Sequence, residues 1–258
     1  MALGSSPAGA SRTLSPRVRG RDRLIFALDV GTLDAARELV RRVGGEVGML
    51  KVGLELFVGY GRESTDLVHE HGLELFLDLK LHDIPETVSR AVRMAAQLGA
   101  RYLTVHASGG RAMLREAAAR AAEARAGGGK LEVVAVTVLT SLDTVDLASQ
   151  GIARDPASHA VALARMAWEE GVRAFVCSPG EAAALREQLG PTAVLITPGI
   201  RPAGSAVDDQ KRVSTPTGAV QAGADCIVVG RPIRDAHDPA EMARSLAAEL
   251  DAALEARS

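Results

Sequence analysis

Short apolar runs alternate with amphipathic segments along most of this chain. The amphipathic segments repeat apolar residues every three or four positions, which is typical of surface helices. Strands that alternate with helices pair in parallel through right-handed crossovers, and eight such units in 258 residues predict a single closed (β/α)8 barrel, an α/β fold also called a TIM barrel. The apolar runs that we predict as strands are Arg23–Asp29, Val47–Val52, Glu74–Lys80, Tyr102–His106, Leu131–Leu139, Ala174–Cys177, Ala193–Thr197 and Asp225–Val229.

Two of the predicted helices have well-marked ends. Leu33–Val43 carries an apolar stripe and is followed by Gly44, a residue that favours helix termination. Asp238–Ala256 begins with an Asp cap and has Pro239 in its first turn, and both features are typical of helix starts. A doubly wound open sheet is the alternative fold. It usually has a G-x-G-x-x-G motif after its first strand, and the absence of that motif here favours the barrel.

The segment Leu73–Thr87, LELFLDLKLHDIPET, places charges where a buried strand is predicted. Side chains alternate between the two faces of a strand, so one face carries leucines and the other carries Phe76, Asp78 and Lys80. A buried charge needs a partner or other compensation. Asp83 follows three residues later and adds a second carboxylate.

A purely structural interpretation of this segment stays open. Asp78 and Lys80 are spaced to form an ion pair at a strand end. Asp83 and Glu86 have the spacing of a capping box, and Pro85 between them favours the first helical turn.

Polar residues follow several predicted strands at their carboxyl ends, where barrels place functional groups. Taken singly, each is explained by a cap or a surface charge. Together they indicate a site, because a barrel would bring them all to the same open end, its mouth. The polar residues are Asp29, Lys51, Asp78, Lys80, Thr140, Ser141, Arg201 and Arg231, and Pro198 and Gly230 lie beside them at the same strand ends.

The loops after strands 7 and 8 predict a phosphate site. Many barrels bind phosphate there through backbone N–H groups and a basic side chain. Gly230 allows close backbone approach and Arg231 offers a bidentate contact, although a plain turn with a surface Arg has the same sequence. The polar stretch 201–214 has the length of an active-site lid, and Gln210 is the amide in it that could reach a ligand.

Composition excludes several classes of function. A net charge of −2 does not indicate a basic surface for binding nucleic acid. No apolar run approaches the roughly 18 residues of a membrane span. Cys177 and Cys226 lie in apolar runs without CxxC spacing, which favours reduced core thiols in a cytoplasmic protein. His82 and His106 show no ligand spacing, so we expect no metal site.

The first twenty residues differ in composition from the rest. They are rich in Ala, Gly, Ser and Arg and contain no apolar segment. We expect a disordered tail over residues 1–20 and one barrel domain over 21–258. An organelle-targeting segment is the weaker alternative.

Several of these motifs occur together in one family. The segment DLKLHDIPET, with FALDV, KVG, LTS, TPGIRP, DDQKR and VVGRPI, resembles orotidine 5′-phosphate decarboxylase in its bacterial form, the last enzyme of UMP synthesis. The resemblance runs from about Arg23 to the end. The D-x-K-x-x-D core alone is shared with the metal-dependent hexulose-phosphate synthase and ketogulonate-phosphate decarboxylase group. Glu86 departs from the pattern, since the family more often has Asn there.

The resemblance implies a role for each candidate residue. It implies cofactor-independent decarboxylation of orotidine 5′-monophosphate to UMP and CO2 by a homodimer, with Lys80 as the proton donor to C6. The implied roles are a charged network of Lys51, Asp78, Lys80 and Asp83; ribose contacts from Asp29 and Lys51; pyrimidine contacts from Thr140 and Ser141; a phosphate grip from Gln210, Gly230 and Arg231, with Pro198 and Arg201 beside it; and Asp83, Ile84 and Thr87 completing the neighbouring subunit's site.

Two other functions stay open. The chain could be a metal-dependent relative that acts on sugar phosphates, or a barrel that only binds a nucleotide. The intact set of charged positions argues against the second.

Overall fold

A closed barrel of parallel strands forms the centre of the molecule. The computed structural model of the chain describes residues 19–202 and 214–257. In these ranges eight strands pair in chain order, and pairing of the last with the first closes the sheet. The predicted (β/α)8 barrel is confirmed, and the open-sheet alternative is wrong. The strands are β1 Leu24–Ala27, β2 Met49–Gly53, β3 Glu74–Leu81, β4 Ala100–His106, β5 Glu132–Val136, β6 Ala174–Val176, β7 Val194–Thr197 and β8 Cys226–Val229.

Helices cover the outside of the barrel, and both helices with marked ends are confirmed. Asp238 caps the last helix by accepting the N–H of Glu241 at 3.0 Å. No helix in the described ranges combines the length and apolar character that a bilayer crossing needs. The α-helices in those ranges are α1 Gly20–Arg23, α2 Leu33–Val43, α3 Leu54–Tyr60, α4 Arg62–Glu70, α5 Pro85–Gln97, α6 Gly110–Ala126, α7 Thr144–Ser149, α8 Pro156–Glu169, α9 Pro179–Leu189, α10 Pro216–Gln221, α11 Arg231–Arg234 and α12 Pro239–Arg257.

The alternation of side chains along the strands creates two apolar cores. One face of each strand packs against the helices, and Leu75 and Leu77 of β3 belong to this larger core. The other face fills the barrel interior, to which β3 contributes Phe76. The predicted division of β3 into a leucine face and an inward face is therefore confirmed. Beyond Phe76 the inward face continues to Asp78 and Lys80.

Three predicted strands end earlier than their apolar runs, β6 by the single residue Cys177. The run Leu131–Leu139 forms a strand only to Val136, because its neighbour β6 ends at Val176, the partner of Val136. Val138 and Leu139 instead line the barrel mouth. Similarly, β1 ends at Ala27, and Asp29 lies in the loop that follows. The length over which a strand pairs depends on its neighbouring strand, and an apolar run carries no information about that neighbour.

The predicted tail falls almost entirely outside the described residues. Arg19 and Gly20 are the two members of residues 1–20 that the structure describes. Gly20 begins α1, and its backbone N–H donates a hydrogen bond to Asp251 of α12. A side chain at Gly20 would collide with the backbone of α12, since an added Cβ would lie 2.1 Å from the Ala247 carbonyl oxygen.

Candidate active site

The carboxyl end of β3 departs from regular strand pairing. Leu77 pairs with Leu103 of β4, and the next pair is Leu81 with Val105. Three residues of β3 therefore face one residue of β4, Thr104. Such an insertion is a β-bulge, and bulges beside functional sites re-aim side chains.

Lys80 lies inside this bulge in an uncommon backbone conformation. Its φ is 49°, and among the described residues it is the one non-glycine with positive φ. That conformation costs an L-residue roughly 1–2 kcal/mol. Continuous pairing would put Lys80 level with His106, whereas the bulge places it level with Thr104. The bulge thus draws Lys80 roughly 6–7 Å, two residues of strand, towards the barrel interior.

Four charged side chains, from β2, β3 and the loop after β1, alternate in sign across the barrel mouth. The Lys80 ammonium lies 2.9 Å from Oδ1 of Asp78, and the Lys51 ammonium lies 3.3 Å from Oδ2 of the same carboxylate. Lys51 also lies 3.2 Å from Oδ1 of Asp29. The structure therefore brings together four predicted residues in the order Asp29, Lys51, Asp78, Lys80.

The two inner members of this network are held in their charged forms. The side chains of Lys51 and Asp78 are only 12% and 14% exposed. Burial disfavours the charge on Lys51, but the carboxylates of Asp78 and Asp29 outweigh it and raise the pKa of Lys51. Burial likewise opposes the charge on Asp78, and the ammonium groups of Lys51 and Lys80 outweigh it and lower the pKa of Asp78. Each charge is thus maintained by its neighbours.

Gly53 leaves room for the outer pair of the network. A Cβ at this position would lie 3.3 Å from both Oδ1 of Asp29 and the ammonium of Lys51. A side chain there would press on the contact between these two groups. The close approach of Asp29 and Lys51 therefore explains why the KVG motif ends in glycine.

A cavity of about 490 Å³ opens at this mouth of the barrel. It is large enough for a drug-sized ligand or a nucleotide. The charged network lines one side, and valines, Phe76 and Cys177 form an apolar wall. The predicted site residues that line it are Asp29, Lys51, Asp78, Lys80, Thr140, Pro198, Arg201, Gly230 and Arg231.

Arginines line the side of the cavity formed by the loops after β7 and β8. Arg201 and Arg231, both predicted, are joined there by Arg234. Arg234 donates to the backbone oxygen of Asp29 at 2.9 Å and holds Asp235 through two further hydrogen bonds. It thus ties the loop after β8 to the loop after β1.

Four predicted residues do not line the cavity within this chain. Asp83, Ile84 and Thr87 are exposed at the start of α5, and Ser141 is exposed after β5. A fifth, Gln210, lies outside the described residues. Among the described residues, Asp78 is the one carboxylate that pairs with Lys80, whose side chain is 32% exposed.

The capping-box interpretation of Asp83 and Glu86 is wrong. Helix α5 begins at Pro85 with Ile84 at the N-cap, so Asp83 lies one position too early. Its Oδ1 accepts the N–H of Ile84 at 2.6 Å, and Glu86 pairs with Arg90. The predicted ion pair of Asp78 with Lys80 does form, but as part of the larger network.

Sequence reasoning missed several residues of the site. Thr104, fully buried on β4, contacts Asp78 and the backbone of Lys80, yet a lone Thr in a strand carries no signal. Arg234 was predictable in part, because it follows Arg231 by three residues, one helical turn. His82 and His106, the two histidines without ligand spacing in the sequence, are not among the residues that line the cavity. Their ring centroids lie 5.6 Å apart, and burial, His82 and Lys80 lower the pKa of His106.

Metal-ligating side chains do not gather at this mouth. Across residues 19–202 and 214–257, no three His, Cys, Asp or Glu side chains are arranged to hold a metal ion. The positive charges at the site come from lysine and arginine side chains.

Comparison with known proteins agrees with this geometry. The family model described as "Orotidine 5′-phosphate decarboxylase / HUMPS family" matches residues 22–246, most of the chain. The chain belongs to this family. The match covers the barrel and all the predicted site residues.

Relatives in the decarboxylase branch resemble the chain over nearly their full length. The orotidine 5′-phosphate decarboxylase of Anaeromyxobacter sp. (strain K) is 52% identical over 229 residues, which cover 89% of this chain and 98% of the relative. That of Halorhodospira halophila is 47% identical over 236 residues, 92% and 99% of the two chains. The crystal structure of orotidine 5′-phosphate decarboxylase from Lactobacillus acidophilus superposes with a TM-score of 0.78 at 35% identity, covering 88% of this chain and 98% of that one.

Proposed function

We propose that this protein converts orotidine 5′-monophosphate to UMP and CO2 in the synthesis of pyrimidine nucleotides. Family membership supports the reaction class. One observation supports the chemistry: the Lys80 ammonium lies 2.9 Å from Asp78 at the wall of a cavity that also carries Arg231. A nucleotide bound with its phosphate at Arg231 would extend its base towards the network.

Lys80 supplies both the charge and the proton that the reaction needs. The bond between C6 and the carboxylate breaks, its electron pair stays on C6, and CO2 leaves. The pyrimidine ring spreads this carbanion poorly, so a fixed cation stabilises it as it develops. The ammonium then gives a proton to C6 and becomes an amine, which regains a proton from water. No cofactor takes part in this scheme.

Asp78 contributes chiefly by holding the two lysines. Its carboxylate would also repel the carboxylate of the substrate. At ~4 Å and an effective dielectric of ~20, two charges are worth about 4 kcal/mol, or about three decades of rate. That is too little for a reaction of this difficulty, so we assign the main effect to the pre-organised lysine.

The phosphate end of the substrate is assigned to the loops after β7 and β8. Arg231 and Gln210 contact the phosphate, with Pro198 and Arg201 beside it. Gly230 admits the phosphate to the backbone. Within the chain, an added Cβ at Gly230 would make only ordinary contacts, 3.5 Å from Ala27 and 3.6 Å from Asp29.

The ribose and the base lie between these two ends. Asp29 and Lys51 are placed to contact the ribose hydroxyls, and their pairing at 3.2 Å fixes both groups. Thr140 lines the cavity beside the apolar wall and faces the pyrimidine, with Ser141 next to it.

We also propose a homodimer in which each chain completes its neighbour's site. Asp83, Ile84 and Thr87 are exposed beside the mouth, where a second chain could receive them. Ile84 is a large apolar residue, and exposed apolar residues are typical of protein interfaces when they cluster. Leu54 and Val58 of α3 are exposed as well. Asp83 from the neighbour would give Lys80 its second carboxylate.

A cytoplasmic location fits the cysteines. Cys177 and Cys226 are free, buried thiols, as expected in a reducing compartment.

Replacement of Lys80 tests the proposed reaction. We expect Lys80→Ala to lower CO2 release from orotidine 5′-monophosphate by at least ~10³-fold, because both charge stabilisation and proton delivery are lost. UMP binding, measured by calorimetry, serves as the control for an intact site. Full turnover by Lys80→Ala would overturn the assignment.

A chelator separates this activity from that of metal-dependent relatives. We expect turnover to be the same with and without EDTA. Release of CO2 from orotidine 5′-monophosphate that survives EDTA would exclude the sugar-phosphate branch, whereas no such release together with metal-dependent turnover of a sugar phosphate would assign the chain to that branch.

A further inference from the structure

Thr104 occupies a position that the irregular pairing of β3 and β4 singles out. Three residues of β3, from Asp78 to Lys80, lie opposite this one residue of β4. In a regular parallel ladder the N–H of a strand residue bonds to a backbone carbonyl of the next strand. At the bulge the N–H of Lys80 donates to the Thr104 hydroxyl instead, at 2.8 Å.

The same hydroxyl also holds the Asp78 carboxylate. It donates to Oδ1 of Asp78 at 3.0 Å, and this oxygen is the one that pairs with the Lys80 ammonium at 2.9 Å. Thr104 is fully buried, so its hydroxyl is not in contact with bulk water. One hydroxyl thus connects the backbone of Lys80 with the partner of its side chain.

Lys80 needs such support because of its backbone. Its positive φ is unfavourable for a residue with a side chain, and conformations of this kind persist only where surrounding contacts impose them. The Thr104 hydroxyl is a contact of this type at the strained residue. The bulge in turn sets the depth of Lys80 in the barrel.

We propose that Thr104 is a positioning residue for the decarboxylation. Its hydroxyl holds the bulge and the Asp78 carboxylate, so that the Lys80 ammonium stands at a fixed place before the substrate arrives. This inference rests on the proposed function. It adds a residue that does not touch the substrate and acts only through Asp78 and Lys80.

Two substitutions separate the hydroxyl from the volume of the side chain. Thr104→Val keeps the shape and removes the hydroxyl, and Thr104→Ser keeps the hydroxyl. We expect Thr104→Val to lower kcat by ~10²-fold with KM within about 3-fold, because small displacements of a reacting group have effects of this size. Thr104→Ser should stay within about 3-fold of the wild type in both constants.

A buried threonine away from the site provides the matched control. Thr65 of α4 is also fully buried, and its hydroxyl donates to the carbonyl of Arg62 at 2.8 Å. Thr65→Val should leave kcat and KM unchanged, which shows that loss of a buried hydroxyl alone is not the cause. Should Thr104→Val fail to fold, Thr104→Ala is compared with Thr104→Ser, because both lack the methyl group and they differ only in the hydroxyl.

Hydrogen exchange tests the positioning role without substrate. We expect the Lys80 amide to exchange at least ~10-fold faster in Thr104→Val than in the wild type, while the Leu77 amide is unchanged, because only Lys80 loses its acceptor. Unchanged exchange at Lys80, an unchanged kcat in Thr104→Val, or equal losses in the Val and Ser variants would overturn the proposal. Absence of CO2 release by the wild type would instead refute the proposed function.

Discussion

The two oxygens of the Asp78 carboxylate hold different lysines. Oδ1 pairs with Lys80 and Oδ2 with Lys51, so this residue fixes the distance between two positive charges that would otherwise repel each other. The alternation of side chains along β3 and the general position of strand ends made the network predictable. Thr104 was not predictable in the same way, because its role depends on a bulge that no residue pattern announces.

Removal of the Asp78 charge should change the response of stability to acid. The pKa of Asp78 is lowered in the folded state, so its contribution is present above the unfolded pKa of ~3.9 and is lost as the pH falls through the folded pKa. We expect Asp78→Asn to lower the free energy of unfolding by roughly 2 kcal/mol at pH 7. The difference from the wild type should vanish in strong acid. Urea unfolding at several pH values measures this, and a difference independent of pH would contradict it.

The contribution of Lys51 to stability should depend on pH in the opposite direction, with a loss at high pH. Its pKa is raised in the folded state, so its contribution is complete below the unfolded pKa of ~10.4 and is lost only as the pH rises through the folded value. The charged network is therefore stable over the neutral range, where both Asp78 and Lys51 are ionised.

At the scale of elements, helix starts were more predictable than strand ends. Asp238 and Pro239 mark the start of α12 locally, through hydrogen bonds within one turn. A strand end depends instead on a partner far away in sequence, as β5 depends on β6. The start of α5 shows the limit of local patterns, since Asp83 and Glu86 have the spacing of a capping box and do not form one.

One buried ion pair connects α9 to the amino-terminal end of the barrel, the end opposite the cavity. Arg186 contacts Asp225 at 2.6 Å and also donates to the carbonyl oxygens of Gly190, Ala193 and Gly223. Asp225 is buried just before β8 and accepts the N–H of Leu195 as well. This cluster joins the amino-terminal ends of β7 and β8.

Loss of the Arg186 guanidinium should destabilise the fold without affecting catalysis. We expect Arg186→Met to lower the free energy of unfolding by about 3–5 kcal/mol, because Asp225 stays buried without its partner. Arg41→Met, which removes an exposed pair with Glu38, is the matched control and should leave the free energy of unfolding nearly unchanged. Urea unfolding measures both, and kcat at a permissive temperature should be unchanged. A small effect for Arg186→Met would contradict this account.

At the scale of the whole molecule, the sequence predicted the barrel and most of one site. The hydrophobic periodicity and the composition sufficed to predict the fold, because eight alternating strand–helix units in a chain of this length have few possible arrangements. Asp83, Ile84 and Thr87 are exposed in a single chain, away from the cavity of that chain. Their proposed role belongs to an assembly of two chains.

Mixing two inactive variants tests this shared site. If Asp83 serves the neighbouring chain, a mixed dimer of Lys80→Ala with Asp83→Ala contains one intact site and one doubly altered site. Random exchange of subunits in equal amounts should then restore about a quarter of the wild-type activity. A mixture of Lys80→Ala with Lys51→Ala is the control, because both residues belong to the same chain's site and no activity should return. Failure of the first mixture to recover would show that Asp83 does not act across an interface.

The charged network and the Arg186 cluster lie at opposite ends of the same barrel. The first carries Lys80 in a backbone conformation that is unfavourable for folding, and the second contributes to stability. Sequence change can therefore proceed at the two ends with little mutual interference. A variant that acquires a new substrate preference but loses stability can regain that stability through substitutions at the amino-terminal end of the barrel. This architecture is therefore a permissive starting point for evolving new chemistry.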